Sequence, residues 1–431
     1  MMIDGKTANE IFDSIRQHVT TGTLAVGETL PPVRELATEL NVNRNTVAAA
    51  YKRLVTSGLA QSLGRNGTVI KGITAPVALE GGNPDTPLID LSGGNPAPSR
   101  LPDLSNYFAK INKSPRLYGD AAVSPGLKAW ASEWMQNAMP GKGEIDITSG
   151  AIDAIERLLC AHLLPGDSVV VEDPCFLSSI NMLRYAGFSA NPASVDREGM
   201  LPDQLELALQ KGARAVILTP RAHNPTGCSL SASRAAQLQE ILARYPQTLV
   251  IVDDHFALLS ACRWYPVIAK ETTHWAVIRS MSKTLGPDLR LAIVASDPLT
   301  SGKLRLRLNS GSQWVSHLLQ DLACACLNDE TYQHTLAQTQ QFYAAQQQKL
   351  TAALRRHGIE LPVGDGLNMW LPLEDNSQAI AFALAKSGWL VREGEVFGVN
   401  TSAHGLRITL STLSDSDIDK LATDIHQALK R

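Results

Sequence analysis

Short runs of aliphatic residues recur through the middle of this chain, and each is closed by polar or ionisable groups. Ile145-Asp146-Ile147 leads into Thr148-Ser149-Gly150-Ala151, and Val169-Val170-Val171 into Glu172-Asp173-Pro174-Cys175-Phe176. Val216-Ile217-Leu218 leads to His223-Asn224-Pro225-Thr226-Gly227, Val250-Ile251-Val252 ends in Asp253-Asp254, and Ala276-Val277-Ile278 is followed by Ser280, Ser282 and Lys283. Unbroken apolar runs of this length fit strands buried on both faces, as in the parallel sheets of α/β proteins. Open sheets of that class bind ligands outside the carboxyl ends of their strands, so five strand endings converge on one ligand.

The residue types at those endings suggest the ligand. Lys283, directly after a strand, is a candidate Schiff-base nucleophile. The hydroxyls of Ser280 and Ser282 and the guanidinium of Arg290 suit a phosphate dianion. Gly150 opens a helix whose free N–H groups add to the same cradle. Asp253 offers the carboxylate that keeps a pyridine nitrogen protonated and makes the ring an electron sink, Asn224 an amide for a phenolic oxygen, and Phe176 an aromatic face. Pyridoxal 5′-phosphate (PLP) needs all of these.

From about residue 90 onward, the order and spacing of these motifs resemble the aspartate-aminotransferase family of PLP enzymes, fold type I. The resemblance implies that Lys283 holds the cofactor covalently, Asp253 pairs with the pyridinium, Asn224 contacts the phenolate oxygen and Phe176 stacks on the ring. It makes Ser149, Gly150, Ala151, Ser280, Ser282 and Arg290 the phosphate cup, with a substrate carboxylate as the alternative partner of Arg290. Arg407, in Gly405-Leu406-Arg407-Ile408-Thr409, is similar to the arginine that grips an amino acid's α-carboxylate. Ser92-Gly93-Gly94-Asn95-Pro96 resembles a pocket-lining segment, and Tyr118 is assigned to the partner subunit's phosphate in a homodimer. His255 stands where relatives place a tyrosine. That substitution removes a hydroxyl contact to the phenolate oxygen and counts against ordinary transamination.

The first seventy residues read differently. Thr7-Ala8-Asn9-Glu10 forms a capping box, followed by Ile11, Ile15 and Val19 on one helical face up to Gly22. A second helix is predicted over Val33–Leu40, and Asn43 caps a third in which Val47, Ala50, Tyr51 and Leu54 follow core spacing. The opposite arc of that helix collects Arg44, Asn45, Ala48, Ala49, Lys52 and Arg53, a set suited to the DNA major groove. Beyond Gly58, Gln61-Ser62-Leu63 and Thr68-Val69-Ile70 flank an Asn-Gly turn and predict a hairpin. Three helices and a two-stranded wing make a winged helix-turn-helix. Leu30-Pro31-Pro32-Val33-Arg34-Glu35-Leu36-Ala37 and Asn43-Arg44-Asn45-Thr46-Val47 resemble the signature of GntR-type bacterial regulators. That resemblance implies that Arg34, Arg44, Asn45 and Thr46, with Lys52 and Arg65, face double-stranded promoter DNA, and that Gly67 lets the wing approach the minor groove. A winged helix ahead of an aminotransferase-like domain is the layout of the MocR subfamily.

The expected organisation is therefore a winged helix-turn-helix over residues 1–72, a Pro/Gly-rich linker over 73–90, and an α/β, fold type I PLP-binding domain over 91–431. The chain's net charge of -3 conceals a basic bias at the front, where five basic residues fall between Arg34 and Arg65. Six cysteines without metal-ligand spacing fit reduced thiols, and no apolar run is long enough to span a bilayer. These features predict a cytoplasmic protein with no metal site. The Gln-rich run from Thr331 to Arg356 reads as a long exposed helix. Two functions remain open: a transcriptional regulator that senses PLP or a PLP–amino acid adduct, controlling vitamin B6 or amino-acid metabolism, and an aminotransferase carrying an accessory DNA-binding domain.

Overall fold

The computed structural model describes residues 3–64, 67–71, 79–82, 85–112, 114–375, 377–399 and 403–430, which form two compact units. Arg65 and the Asn66 turn lie outside the described residues, as do positions 73–78 of the linker.

In the N-terminal unit, the capping box sets the start of the first helix. Glu10 N–H donates to Thr7 Oγ1 at 3.2 Å and the Glu10 carboxylate accepts from Thr7 N–H at 3.4 Å, opening α1 (Ala8–Thr20). α2 (Val33–Glu39) is short, and the Tyr51 hydroxyl ties its entry to α3 (Arg44–Thr56) by donating to Pro31 O at 2.7 Å. The Asn43 side chain caps α3 by accepting from Asn45 N–H. Val47, Ala50, Tyr51 and Leu54 pack with Ile11, Ile15 and Leu36 in one core. β1 (Ala60–Ser62) and β2 (Thr68–Ile70) pair antiparallel as the wing, and Thr29 bridges to Val69.

The larger unit starts at Leu79, and its first strand is β3 (Ile89–Asp90), where the sequence predicts the end of the linker. It pairs instead with Trp389–Leu390 of the C-terminal region. The central sheet contains β4 (Glu144–Thr148), β5 (Ser168–Asp173), β6 (Ser189–Asp196), β7 (Gly199–Met200), β8 (Ala215–Leu218), β9 (Leu249–Asp253), β10 (His274–Ser280) and β11 (Ala292–Ser296). Its order is β4-β11-β10-β9-β8-β5-β6-β7. β5, β8, β9 and β10 run parallel in adjoining positions, and β11 lies antiparallel between β10 and β4. The carboxyl ends of β4, β5, β8, β9 and β10 therefore share one edge of the sheet. The apolar runs that produced this are buried on both faces, with Val250, Val252 and Val277 in the main core.

A second core gathers Leu350, Met369, Trp389, Ile408 and Leu421 beneath a smaller antiparallel sheet of β12 (Asn368–Pro372), β14 (Arg392–Glu393) and β15 (Gly405–Thr409), with β13 (Trp389–Leu390) pairing to β3. The 27-residue helix Glu330–Arg356 leads into it. This helix is not the exposed rod its composition suggested. Gln346 and Gln347 are buried, their amides donating to the carbonyls of Leu410 and Leu413 and of Gly366 and Asn368. Glutamine reads as solvated in a sequence, yet it is stable inside when carbonyls of a neighbouring segment take its donors.

Candidate functional site

The shared strand edge opens onto a cavity of about 490 Å³ whose wall includes Phe176, Asn224, Asp253, His255 and Lys283. Ala151, Ser280, Ser282 and Arg290 complete the side assigned to phosphate.

Asp253 and Asp254 show how the strand end sorts two identical side chains. Asp254 is fully buried and held by two guanidiniums, Arg221 Nη2 at 2.7 Å and Arg279 Nε at 3.0 Å. Asp253, 7% exposed, has its Oδ1 buried without a hydrogen-bond partner among the described residues. Burial, then the nearby Asp254 and Glu172 charges, raise its carboxyl to about 7. A buried carboxylate oxygen without a donor on a cavity wall is the feature a protonated pyridine nitrogen would satisfy.

Lys283 is the cavity's amine. Its Nζ donates to Gly94 O at 2.6 Å. Burial lowers its pKa to about 8, with Glu80 pulling up and Arg407 pushing down. A neutral amine fraction near physiological pH is what a nucleophilic lysine requires. His255 is held neutral, its pKa lowered to about 4 by burial and then by the Lys283 charge.

The phosphate-side residues are arranged unevenly. Arg290 adopts a left-handed backbone at φ 47° and Nη2 donates to Ser149 O at 3.1 Å. Gly150, at φ 101°, lies under that guanidinium, where a Cβ would fall 2.6 Å from Nη2. Ser280 and Ser282 are linked by their hydroxyls at 3.1 Å. Ala151 lines the cavity next to Ser149 and Gly150, and the Ser149 N–H is taken by Asp153 at 3.0 Å. Tyr118 is outside its own chain's cavity, 85% exposed and edge-on to Trp314.

Arg407 is completely buried at the other end. Nη1 donates to Asn224 Oδ1 at 2.9 Å and Nη2 to Ser92 O at 2.5 Å. Its two terminal nitrogens also hold the Glu80 carboxylate in a fork, at 2.7 and 2.9 Å. Glu80 was missed in the sequence, where it is one acidic residue in a linker 327 positions from its partner. Also missed was the buried pair of His223 Nε2 and Glu172 Oε2 at 3.3 Å, in which Glu172 lines the cavity. Burial opposes the His223 charge, but the Glu172 carboxylate and the Cys228 thiol together outweigh it and carry the pKa up to about 10.

In the N-terminal unit, Arg34, Arg44, Asn45 and Lys52 are exposed and Thr46 is half-buried. Arg53, part of the expected basic arc, is turned to α1, where it bonds Asn9 and covers the Phe12 ring at 5.2 Å. Gly67 takes φ 88°, a left-handed conformation that favours glycine.

Comparison with known proteins yields two family matches: aminotransferase class I and II over residues 86–425, and bacterial regulatory proteins of the gntR family over residues 7–70. The vitamin B6 salvage pathway transcriptional repressor PtsJ of Salmonella typhimurium is 76% identical over 430 residues, covering 100% of both chains. The probable rhizopine catabolism regulatory protein MocR of Rhizobium meliloti is 25% identical, covering 85% of this chain and 79% of its own. Among solved structures, a kynurenine aminotransferase of Pyrococcus horikoshii superposes with a TM-score of 0.71 at 21% identity, covering 80% of this chain and 91% of its own, a likeness of fold.

Proposed function

Because the chain belongs to the class I and II aminotransferase family and carries a gntR-family DNA-binding segment ahead of it, we propose that it is a PLP-responsive transcriptional repressor of vitamin B6 salvage. The observation that carries the cofactor half is the buried, unpartnered Asp253 Oδ1 on the same cavity wall as Lys283. The relative PtsJ supports the regulatory half by its name and full-length identity.

In this reading PLP supplies an aldehyde for a lysine and a ring that accepts electron density. Lys283 presents the amine, kept partly neutral by burial. Asp253 holds the ring nitrogen's proton, and Asn224, braced by Arg407, faces the phenolic oxygen. Ser280, Ser282, Arg290 and the Gly150-Ala151 helix start hold phosphate, and Phe176 covers the ring. His255, neutral beside Lys283, takes the place of a tyrosine hydroxyl. Arg407 receives an amino acid's carboxylate. Arg34, Arg44, Asn45, Thr46 and Lys52 present the promoter-binding face, together with Gly67 of the wing. The working unit is a cytoplasmic homodimer, with Tyr118 contributing to the partner's phosphate site.

Equilibrium titration with PLP, followed by near-visible absorption, tests the pocket. Wild-type protein should develop the band of covalently held PLP, and Lys283→Ala should bind without that band while keeping its unfolding profile. A normally folded Lys283→Ala that retains the band would refute the assignment. Turnover across amino acid donors separates this reading from a working aminotransferase.

A further inference from the structure

Arg407 would receive a ligand carboxylate, yet its guanidinium already holds one. Both Glu80 oxygens are bonded, at 2.7 and 2.9 Å, in the planar fork with which arginine recognises carboxylates. Glu80 and Gly81 form part of the cavity wall that includes Lys283. The backbone on either side is fastened as well, since Arg392 Nη2 donates to Leu79 O at 3.2 Å and to Gly81 O at 2.9 Å. Arg407 has no exposed surface and is enclosed by Asn224, Ser92, Gly94 and the Phe397 ring, whose centroid lies 4.9 Å from the guanidinium carbon. One fork cannot bind two carboxylates in the same plane.

We propose that Glu80 is an internal carboxylate plug: it occupies the amino-acid subsite at Arg407, and the carboxylate of an amino acid, free or joined to the cofactor, must displace it. The proposal rests on the cofactor reading above. It also gives that reading a route outward, because Glu80 belongs to the stretch connecting the DNA-binding segment to the body. A ligand without a carboxylate, such as PLP alone, leaves the plug seated. A ligand with one expels Glu80, loosening Leu79–Gly82 and lengthening the chain available to the N-terminal unit. Apparent affinity for such a ligand is reduced by the fraction of molecules in which the plug is open.

The test uses the full-length apo-protein and two probes differing by the amino-acid portion, pyridoxamine 5′-phosphate and N-(5′-phosphopyridoxyl)-L-alanine. Calorimetry gives each dissociation constant for wild type, Glu80→Gln, Glu80→Ala and Arg407→Gln. If the plug is open in about a tenth of molecules, both Glu80 variants should improve the adduct's affinity relative to pyridoxamine 5′-phosphate by about tenfold, and Arg407→Gln should lose the adduct's preference. Glu80→Gln without ligand should also bind DNA with the affinity of adduct-saturated wild type. An unchanged affinity ratio in both Glu80 variants, with the ratio lowered in Arg407→Gln, would overturn the plug and leave the cofactor reading standing. Failure of wild type to bind pyridoxamine 5′-phosphate would overturn that reading, and the proposal with it.

Discussion

A single charge separates what Asp253 and Asp254 contribute. Asp254 is matched by Arg221 and Arg279, whereas Asp253 faces the cavity with an unpaired oxygen and a pKa raised to about 7. A carboxyl whose folded pKa exceeds its unfolded value, near 4, stabilises the fold fully below about pH 4, and that stability is lost as pH rises through 7. Asp253→Asn should therefore unfold at higher temperature than wild type at pH 8 in the absence of ligand, with the difference shrinking toward pH 5. The gain should be of order 1–3 kcal/mol. Equal melting curves for the two proteins at pH 8 would mean that Asp253 is not strained by ionisation. The same substitution should weaken PLP retention, since an amide cannot neutralise a pyridinium. At this scale the gathering of Phe176, Asn224, Asp253, His255 and Lys283 around one cavity was legible, because each follows an apolar run that becomes a strand of one sheet. Glu80 was not, since nothing local distinguishes an acid that pairs across 327 positions. The Ser149 N–H is committed to Asp153, a local contact that its place in the motif did not show.

Among the elements, α3 was the most readable, because its core spacing and Asn43 cap both appear in the structure. Arg53 shows the limit of an arc drawn on a helical wheel, which cannot see that Asn9 and Phe12 lie within its reach. Arg44→Ala should weaken specific DNA binding by about 1–3 kcal/mol if it reads a guanine edge. Lys52→Ala should weaken specific and non-specific sites alike and reduce the salt slope by about one. Two variants with unaltered affinity and salt slope, measured by fluorescence anisotropy, would move the DNA face elsewhere. The long helix Glu330–Arg356 was misread as exposed because its glutamines are polar by composition and buried by pairing. Gln347→Leu should strip the Gly366 and Asn368 carbonyls of a donor and destabilise the fold by about 1–3 kcal/mol in chemical denaturation. A loss below the error of that measurement would mean the buried amide is dispensable.

For the whole molecule, occupancy of the Lys283 cavity should be coupled to DNA affinity. The sequence made both halves recognisable, through wing and strand-end motifs, but carried no sign of the Glu80–Arg407 fork that brings the connecting stretch into the cavity. Coupling is reciprocal, so a ligand that alters DNA affinity must have its own affinity altered equally by DNA. In a homodimer, two tethered heads should prefer one spacing of half-sites and lose effective concentration beyond the reach of their tethers. The most direct measurement is a DNA titration of apo-protein and of protein saturated with a PLP–amino acid adduct at fixed salt, repeated with the half-sites moved apart one helical turn at a time. Displaced isotherms for the two forms at the preferred spacing are the predicted result. Superimposable isotherms at every spacing would contradict the sensor and leave the aminotransferase reading in its place.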